Sequence, residues 1–175
     1  MVSRGRSEIS WRVRGGLVYL LSRVKEYLDK QNVPYTHHVH RTAYTAQEVA
    51  AEEHISGKMM AKAVIVKFGD RLAMVALPAS ARLDLEAVRR LVGNKEARLA
   101  SELEFTGAFP DCDVGAMPPF GNLYGVSVYV DTALAEDEEI AFNAGTHQDS
   151  IHMKYADFAR LANPTIAQLA LIRAP

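Results

Sequence analysis

The sequence predicts an α+β fold built on a mostly antiparallel or mixed sheet. Two observations carry that prediction. Residues 60–68 and 71–77 read as two strands joined at Gly69-Asp70, a hairpin. Elsewhere the helix-like and strand-like segments do not alternate regularly, which argues against a doubly wound parallel sheet. The chain is long enough for such a fold: 175 residues, 49% hydrophobic and 23% charged. A domain of that size buries roughly 70% of its unfolded surface.

Each element has a local reason. Residues 1–15 are polar and basic and read as a flexible arm that breaks at Gly15-Gly16, with Trp11 able to pin it to the body. The expected division is therefore an arm over 1–16 and a single domain over 17–175. Leu17, Leu20, Leu21, Val24 and Leu28 recur at helical spacing, so 17–31 is expected as an amphipathic helix ended by Asn32 and Pro34. Residues 35–40 look extended. Thr45 and Glu48 form a capping box for a helix over about 46–55, closing at Gly57. Pro78 stops the hairpin's second strand. Asp84 caps a helix carrying Leu85, Val88, Leu91 and Val92, with Gly93 at its end. Ser101 and Glu104 form a second capping box, opening a short helix to about Thr106. Strands are expected over 124–131, 139–143 and 150–154, and a closing helix over 155–162 before Pro164.

Composition excludes several classes. A net charge of −1 argues against a broad basic face for nucleic acid, though not against a local patch. No apolar run approaches the roughly 20 residues of a membrane span. The apolar segment 17–21 is too short for a signal peptide. Cys112 is the only cysteine, so there is no intrachain disulfide framework and no cysteine zinc site, which is compatible with a reducing cytoplasm. Phosphate-cradling glycine motifs, a serine elbow and an H-E-x-x-H pair are all absent.

Four features could carry chemistry. Lys62 lies inside an apolar strand, so its ammonium must reach water, a carboxylate or a bound anion; the plainer reading is a lysine guarding an edge strand. The run Gly115-Ala116-Met117-Pro118-Pro119-Phe120-Gly121 is stiffened by prolines and could present fixed N–H groups to an oxyanion, or be only a rigid turn. Asn143-Ala144-Gly145-Thr146-His147 could set an imidazole over a pocket, or place a histidine on a surface hairpin. His38 and His40 share one face of a strand while His37 points the other way; two such histidines can bind zinc with a carboxylate from elsewhere, but solvated strand histidines are the simpler expectation. Cys112, between Asp111 and Asp113, is a poor nucleophile because the flanking charges disfavour its thiolate.

The order of these pieces resembles a known family. Ala61-Lys62-Ala63-Val64-Ile65-Val66 precedes the loop from Val114 to Gly121. Val128-Tyr129-Val130-Asp131, Phe142-Asn143-Ala144-Gly145-Thr146-His147 and Tyr155-Ala156-Asp157-Phe158 follow. Over about residues 17–162 the chain is similar to the YbaK/prolyl-tRNA synthetase-associated editing domain family. The resemblance implies a mixed, partly barrel-like sheet surrounded by helices. It implies hydrolysis of the ester between a wrongly attached amino acid and the 3′ end of a tRNA. By motif, Lys62 matches the lysine near the terminal adenosine and its phosphate. Gly115 and Pro119 match the ends of the loop that contacts the aminoacyl group, with Ala116, Met117, Pro118, Phe120 and Gly121 beside them. His147 matches a substrate-positioning histidine, flanked by Asn143, Gly145 and Thr146.

An aminoacyl ester is already activated, so such an enzyme needs a size-selective pocket, oxyanion donors and a placed water rather than a strong nucleophile. That reading calls for no metal and no cofactor. Only the 3′ end must enter, helped by basic residues such as Arg41, Lys58 and Lys67. The family resemblance, rather than any residue here, makes alanyl-tRNA-Pro the first expected substrate, with cysteinyl and seryl esters next. Prolyl-tRNA synthetase is an expected transient partner, the cytoplasm the expected compartment, and no membrane is involved. Two competing readings remain at this point: a non-catalytic module that binds a nucleotide or aminoacyl-adenosine, and a histidine-based metal hydrolase.

Overall fold

The computed structural model describes residues 3–4 and 23–171; the rest of the expected arm over 1–16, including Trp11, and the expected helix residues 17–22 lie outside the described residues. Among the described residues, nine strands form one mixed sheet: β1 (Ser3–Arg4), β2 (Tyr35–Val39), β3 (Met60–Phe68), β4 (Arg71–Pro78), β5 (Arg98–Leu99), β6 (Ser127–Asp131), β7 (Glu139–Asn143), β8 (Asp149–Lys154) and β9 (Thr165–Ala167). The described residues also form six α-helices: α1 (Arg23–Lys30), α2 (Ala46–Glu52), α3 (Leu85–Val92), α4 (Glu102–Phe105), α5 (Thr132–Ala135) and α6 (Tyr155–Ala162). The strand order is β1-β2-β8-β7-β3-β4-β6-β9, with β5 added beside β3. The path does not close on itself among the described residues.

The expected hairpin forms in full register, from Ala61 opposite Pro78 to Phe68 opposite Arg71. Its neighbours on either side are parallel: β7 on β3 and β6 on β4. β2 and β7 both run antiparallel to β8. The sheet is therefore mixed, as the irregular order of elements implies.

Alternation along β3 sorts its side chains between two faces. Ala61, Ala63 and Ile65 face one way. Ala61 joins a core with Val24 and Leu28 of α1, Phe120, Phe142 and Phe158. Ile65 joins Met74, Phe105, Phe109 and Met117. Met60, Lys62, Val64 and Val66 face the other way, under α2 and α3. Val24 and Leu28 are wholly buried at i,i+4 spacing; each is worth about 1.5–3 kcal/mol of burial.

The caps behave as the sequence requires. Thr45 Oγ1 accepts from the Glu48 N–H at 3.2 Å, and Glu48 Oε2 accepts from the Thr45 N–H at 3.0 Å. Asp84 Oδ1 accepts from the N–H groups of Glu86 and Ala87, and Gly93 ends α3 at φ 66°. Helix α2 stops earlier than Gly57. His54 takes the left-handed conformation at φ 55°, and the Ile55 N–H closes the turn on the Ala50 carbonyl at 2.9 Å. The strand expected over 124–131 begins only at Ser127, because Tyr124 ends a 3-10 turn (Gly121–Tyr124) closed by Gly125 at φ 70°. No helix among the described residues is long and apolar enough to cross a membrane.

Candidate active site

The site starts from a break in the pairing of β3. β7 accompanies β3 only at Met60–Ala141 and Ala61–Phe142. β5 takes over at Val66 and Lys67. Residues 62–65 have no strand neighbour on that side, and Lys62 is the first of them. Lys62 is therefore not an edge guard: β3 lies inside the sheet, with β4 paired along its whole other side.

Its half-buried ammonium donates to the Ala81 carbonyl at 2.5 Å and the Ala79 carbonyl at 3.2 Å. The same Ala79 oxygen accepts from Gln47 Nε2 at 3.0 Å. Burial, and then the nearby Arg82 charge, push the Lys62 pKa down. No carboxylate among the described residues neutralises it. A cation held by carbonyl dipoles beside a second cation is electrostatically ready for an anion.

Asn143 shares this face. Met60 and Ala141 are register partners in one cluster, and Lys62 and Asn143 each follow them by two residues. Asn143 is buried, and its Oδ1 has no hydrogen-bond partner. An orphaned buried acceptor is costly unless a ligand or water supplies the donor.

Two loops meet beyond β7. The Asp113 N–H donates to the Gly145 carbonyl at 2.8 Å, and the Gly145 N–H donates to the Ala116 carbonyl at 3.0 Å. This exchange resembles a short stretch of strand pairing and fixes one loop against the other. Gly145 at φ 104° and Gly115 at φ 89° occupy conformations that side-chain-bearing residues rarely adopt. A Cβ on Gly115 would also stand 3.7 Å from His147 Cε1. His147 is held from both ends: its N–H faces Asp113 Oδ2 at 3.4 Å, and its Nε2 faces the Val114 carbonyl at 3.0 Å. The ring packs on exposed Tyr44, centroids 5.0 Å apart. Thr146 Oγ1 donates to Asp149 Oδ2 at 2.6 Å and so braces the turn.

The 115–121 segment is more deeply set than a surface turn. Ala116, Met117, Pro118, Pro119, Phe120 and Gly121 are all buried. Phe120 packs against Tyr27, Phe142 and Phe158, which anchors the loop in the core. Gly121 answers to packing: a Cβ there would meet the Val126 carbonyl oxygen at 2.9 Å. Among the described residues, the N–H groups of Gly115 and Met117 have no hydrogen-bond partner.

The basic candidates divide. Arg41 and Lys58 are exposed. Lys67 pairs with Glu104 at 3.0 Å and, five residues along β3 from Lys62, faces the opposite side of the sheet. The histidines are not solvated strand residues. His37 pairs with Asp149 at 2.6 Å, while His38 and His40 lie beside Glu53. Burial pushes the Cys112 thiol up to about 11, with the Asp111 and Asp113 charges acting in the same direction. Sequence reasoning missed Tyr44, Gln47, Arg82 and Asp113. Tyr44 and Gln47 flank the start of α2, Arg82 and Asp113 lie on two other segments, and no spacing rule links the three.

Residues 40–161 match the family model of the aminoacyl-tRNA editing domain. The multifunctional Ser/Thr-tRNA deacylase ProXp-y of Escherichia coli strain K12 is 35% identical over 94 residues, 53% of this chain and 56% of that protein. The chain thus spans about half the length of the curated relatives it matches. A solved structure of a candidate trans-editing enzyme for prolyl tRNA synthetase superposes with a TM-score of 0.77 at 21% identity, covering 90% of this chain and all of that one. The hypothetical protein APE2540 gives 0.77 at 19% identity, covering 85% of this chain and 99% of that one. At those identities the likeness is one of fold. The family match, by contrast, spans well over half of the sequence and runs from the segment before Tyr44 through Lys62 and both loops, and on that ground the chain belongs to the aminoacyl-tRNA editing domain family.

Proposed function

We propose that this protein is a trans-editing hydrolase that deacylates mischarged aminoacyl-tRNA in the cytoplasm. The observation that carries the site is the Lys62 ammonium beside Arg82, held by carbonyl oxygens alone. It suits a phosphate near the 3′ end of the tRNA, and the family supplies the reaction class. Arg41 and Lys58 are exposed and available to the incoming strand.

Gly115 and Met117 offer free N–H groups to the developing oxyanion. Ala116, Pro118 and Pro119 hold those donors in place, with Phe120 and Gly121 as the buried anchor. His147, set by Val114 and Asp113, keeps Nδ1 as a buried, unpartnered acceptor for a water that enters with the substrate. Gly145 and Thr146 keep the histidine turn in position. The Asn143 Oδ1 accepts from the substrate's α-ammonium or a side-chain hydroxyl. Lys67, engaged with Glu104, acts at most on a distant part of the tRNA.

Small aminoacyl groups on tRNA-Pro are the expected esters: alanyl, cysteinyl and seryl. The deacylase named for seryl- and threonyl-tRNA raises seryl above the others and adds threonyl to the panel. A buried acceptor discriminates for a hydroxyl far better than an apolar pocket discriminates by one methylene, which is worth only about 1–3 kcal/mol. Contact with prolyl-tRNA synthetase is a transient partnership in this reading.

The test is deacylation of alanyl-, cysteinyl-, seryl-, threonyl- and prolyl-tRNA by wild-type protein and Lys62→Ala. Release of one or more mischarged amino acids, lost in the variant and absent for prolyl-tRNA-Pro, supports the editing reading. Binding of these substrates with no release above the uncatalysed rate would replace it with the non-catalytic binding module.

A further inference from the structure

A second cluster of chemically capable side chains lies on the sheet face covered by α2, and the ester-hydrolysis reading does not use it. β2 and β8 set Thr36 opposite His152 and His38 opposite Ser150. Alternation then places His38, His40, Ser150 and His152 on one face. The residue after α2, Glu53, turns its carboxylate into this group. It accepts hydrogen bonds from the Ser150 hydroxyl and from His152 Nε2. His38 stacks on His152, ring centroids 4.2 Å apart and 22° from parallel.

Ligand atoms of His38, Glu53 and His152 all lie within 4.8 Å of one another. A fourth donor stands next to them. His40 Nε2 is 3.9 Å from Glu53 Oε1, and the side chains of both residues are only 5% exposed. That nitrogen is buried without a hydrogen-bond partner. An unpartnered imidazole nitrogen aimed at a buried carboxylate is what a hydrogen-bond network leaves over and a cation would use. In a tetrahedral site with bonds near 2.0–2.1 Å, ligand atoms sit about 3.3 Å apart, so His38, Glu53 and His152 must draw closer and the His40 ring must turn in past Glu53 to complete the set.

The chemistry of the set is consistent with this geometry. Burial, followed by the neighbouring His152, pushes the His38 pKa down and favours the uncharged imidazole that ligates. Hydrogen bonds from His152 and Ser150 outweigh burial at Glu53 and hold its carboxyl below the usual range. A cavity of about 540 Å³, lined by His38, Val39, His40, Arg41, Glu52 and Glu53, gives an ion a way in. Three imidazoles and one carboxylate suit zinc and its first-row neighbours, and not magnesium or calcium.

We propose that His38, His40, His152 and Glu53 form a binding site for one zinc-class divalent cation, which fastens the end of α2 to β2 and β8. The site is separate from the ester chemistry, so its test does not depend on deacylation.

Untagged full-chain protein is stripped with a chelator and titrated with Co²⁺, then with Zn²⁺ as competitor. The expected result is one equivalent bound per chain, with the visible absorption of four-coordinate Co²⁺, displaced by Zn²⁺. Zn²⁺ should also raise the thermal midpoint by several degrees. Glu53→Gln and His40→Ala should each weaken binding tenfold or more. His40→Ala gives up one local hydrogen bond, from ring Nδ1 to the Arg41 carbonyl, and none at Nε2, so it remains informative if Glu53→Gln fails to fold. No Co²⁺ absorption and no thermal shift at excess metal would overturn the proposal. So would binding by His40→Ala equal to that of the wild-type protein.

Discussion

His147 Nε2 stands 3.0 Å from the carbonyl oxygen of Val114. A carbonyl only accepts, so Nε2 carries the proton, and in the uncharged ring Nδ1 is left as a bare, buried lone pair. The backbone of one loop thus selects the tautomer of a side chain on the other. His147→Ala removes that lone pair but keeps the backbone bond to Asp113. Its kcat on a responsive aminoacyl-tRNA should fall about 10²-fold with KM little changed. A rise in KM at constant kcat would instead make His147 a binding residue.

If Lys62 meets a phosphate, its removal should change the salt dependence as well as the rate. The plot of log kcat/KM against log salt should flatten by about 0.7 for Lys62→Ala, the counterion contribution of one single-strand phosphate. Parallel lines for wild type and variant would take Lys62 off the phosphate.

Glu104 provides the pH prediction. Arg98 grips it with two bonds, 2.8 Å from Nη1 to Oε2 and 2.7 Å from Nη2 to Oε1. The Ser101 N–H and Lys67 add further bonds. Arg98 first, then Ser101 and Lys67, hold its carboxyl well below the usual carboxylate range. A folded pKa below the unfolded value contributes stability that is present above about pH 4.3 and lost as pH falls toward the folded pKa. Wild-type protein should therefore lose stability more steeply than Glu104→Gln between about pH 5 and pH 2, as read by urea midpoints. Equal slopes would mean that the clamp is open in solution.

Asp131 ends β6 and is almost fully buried. Its Oδ1 accepts from the Ala133 N–H at 2.9 Å, capping α5. Its Oδ2 accepts from the N–H groups of Leu169 and Ala170, both at 2.7 Å. The residue that a motif reading treats only as the end of a strand thus tethers the segment after β9. Asp131→Asn puts an amide donor where two N–H groups already point, and should cost about 2–4 kcal/mol in denaturant unfolding. A loss within about 0.5 kcal/mol would mean that the segment detaches freely.

What the sequence reveals and what it hides follow from range. The β3–β4 hairpin, the Thr45–Glu48 box and the Asp84–Gly93 frame are set by residues within a few positions of one another, and all form as expected. The Asp113–Gly145–Ala116 exchange and the Glu53 meeting with His38 and His152 join segments far apart in the chain. Alternation on β2 places His38 and His40 on one face, but nothing in the sequence says that the end of α2 would bring a carboxylate to them. Helix α2 itself ends early because His54, and not Gly57, adopts the left-handed turn. Short β9, exposed at Thr165 and Ile166, lacks the alternation that would reveal it.

The break in pairing along β3 also has a consequence in time. Lys62 and the turn carrying His147 are separated by a span of roughly 85 residues. At about 5–20 residues per second of synthesis, some seconds pass between one and the other. During that interval the β3–β4 hairpin can close on itself, but the parallel neighbour that frames Lys62 does not yet exist. A nascent chain therefore holds Lys62 before the strand that pairs beside it. The frame around Lys62 is therefore completed late, only after β7 has been made.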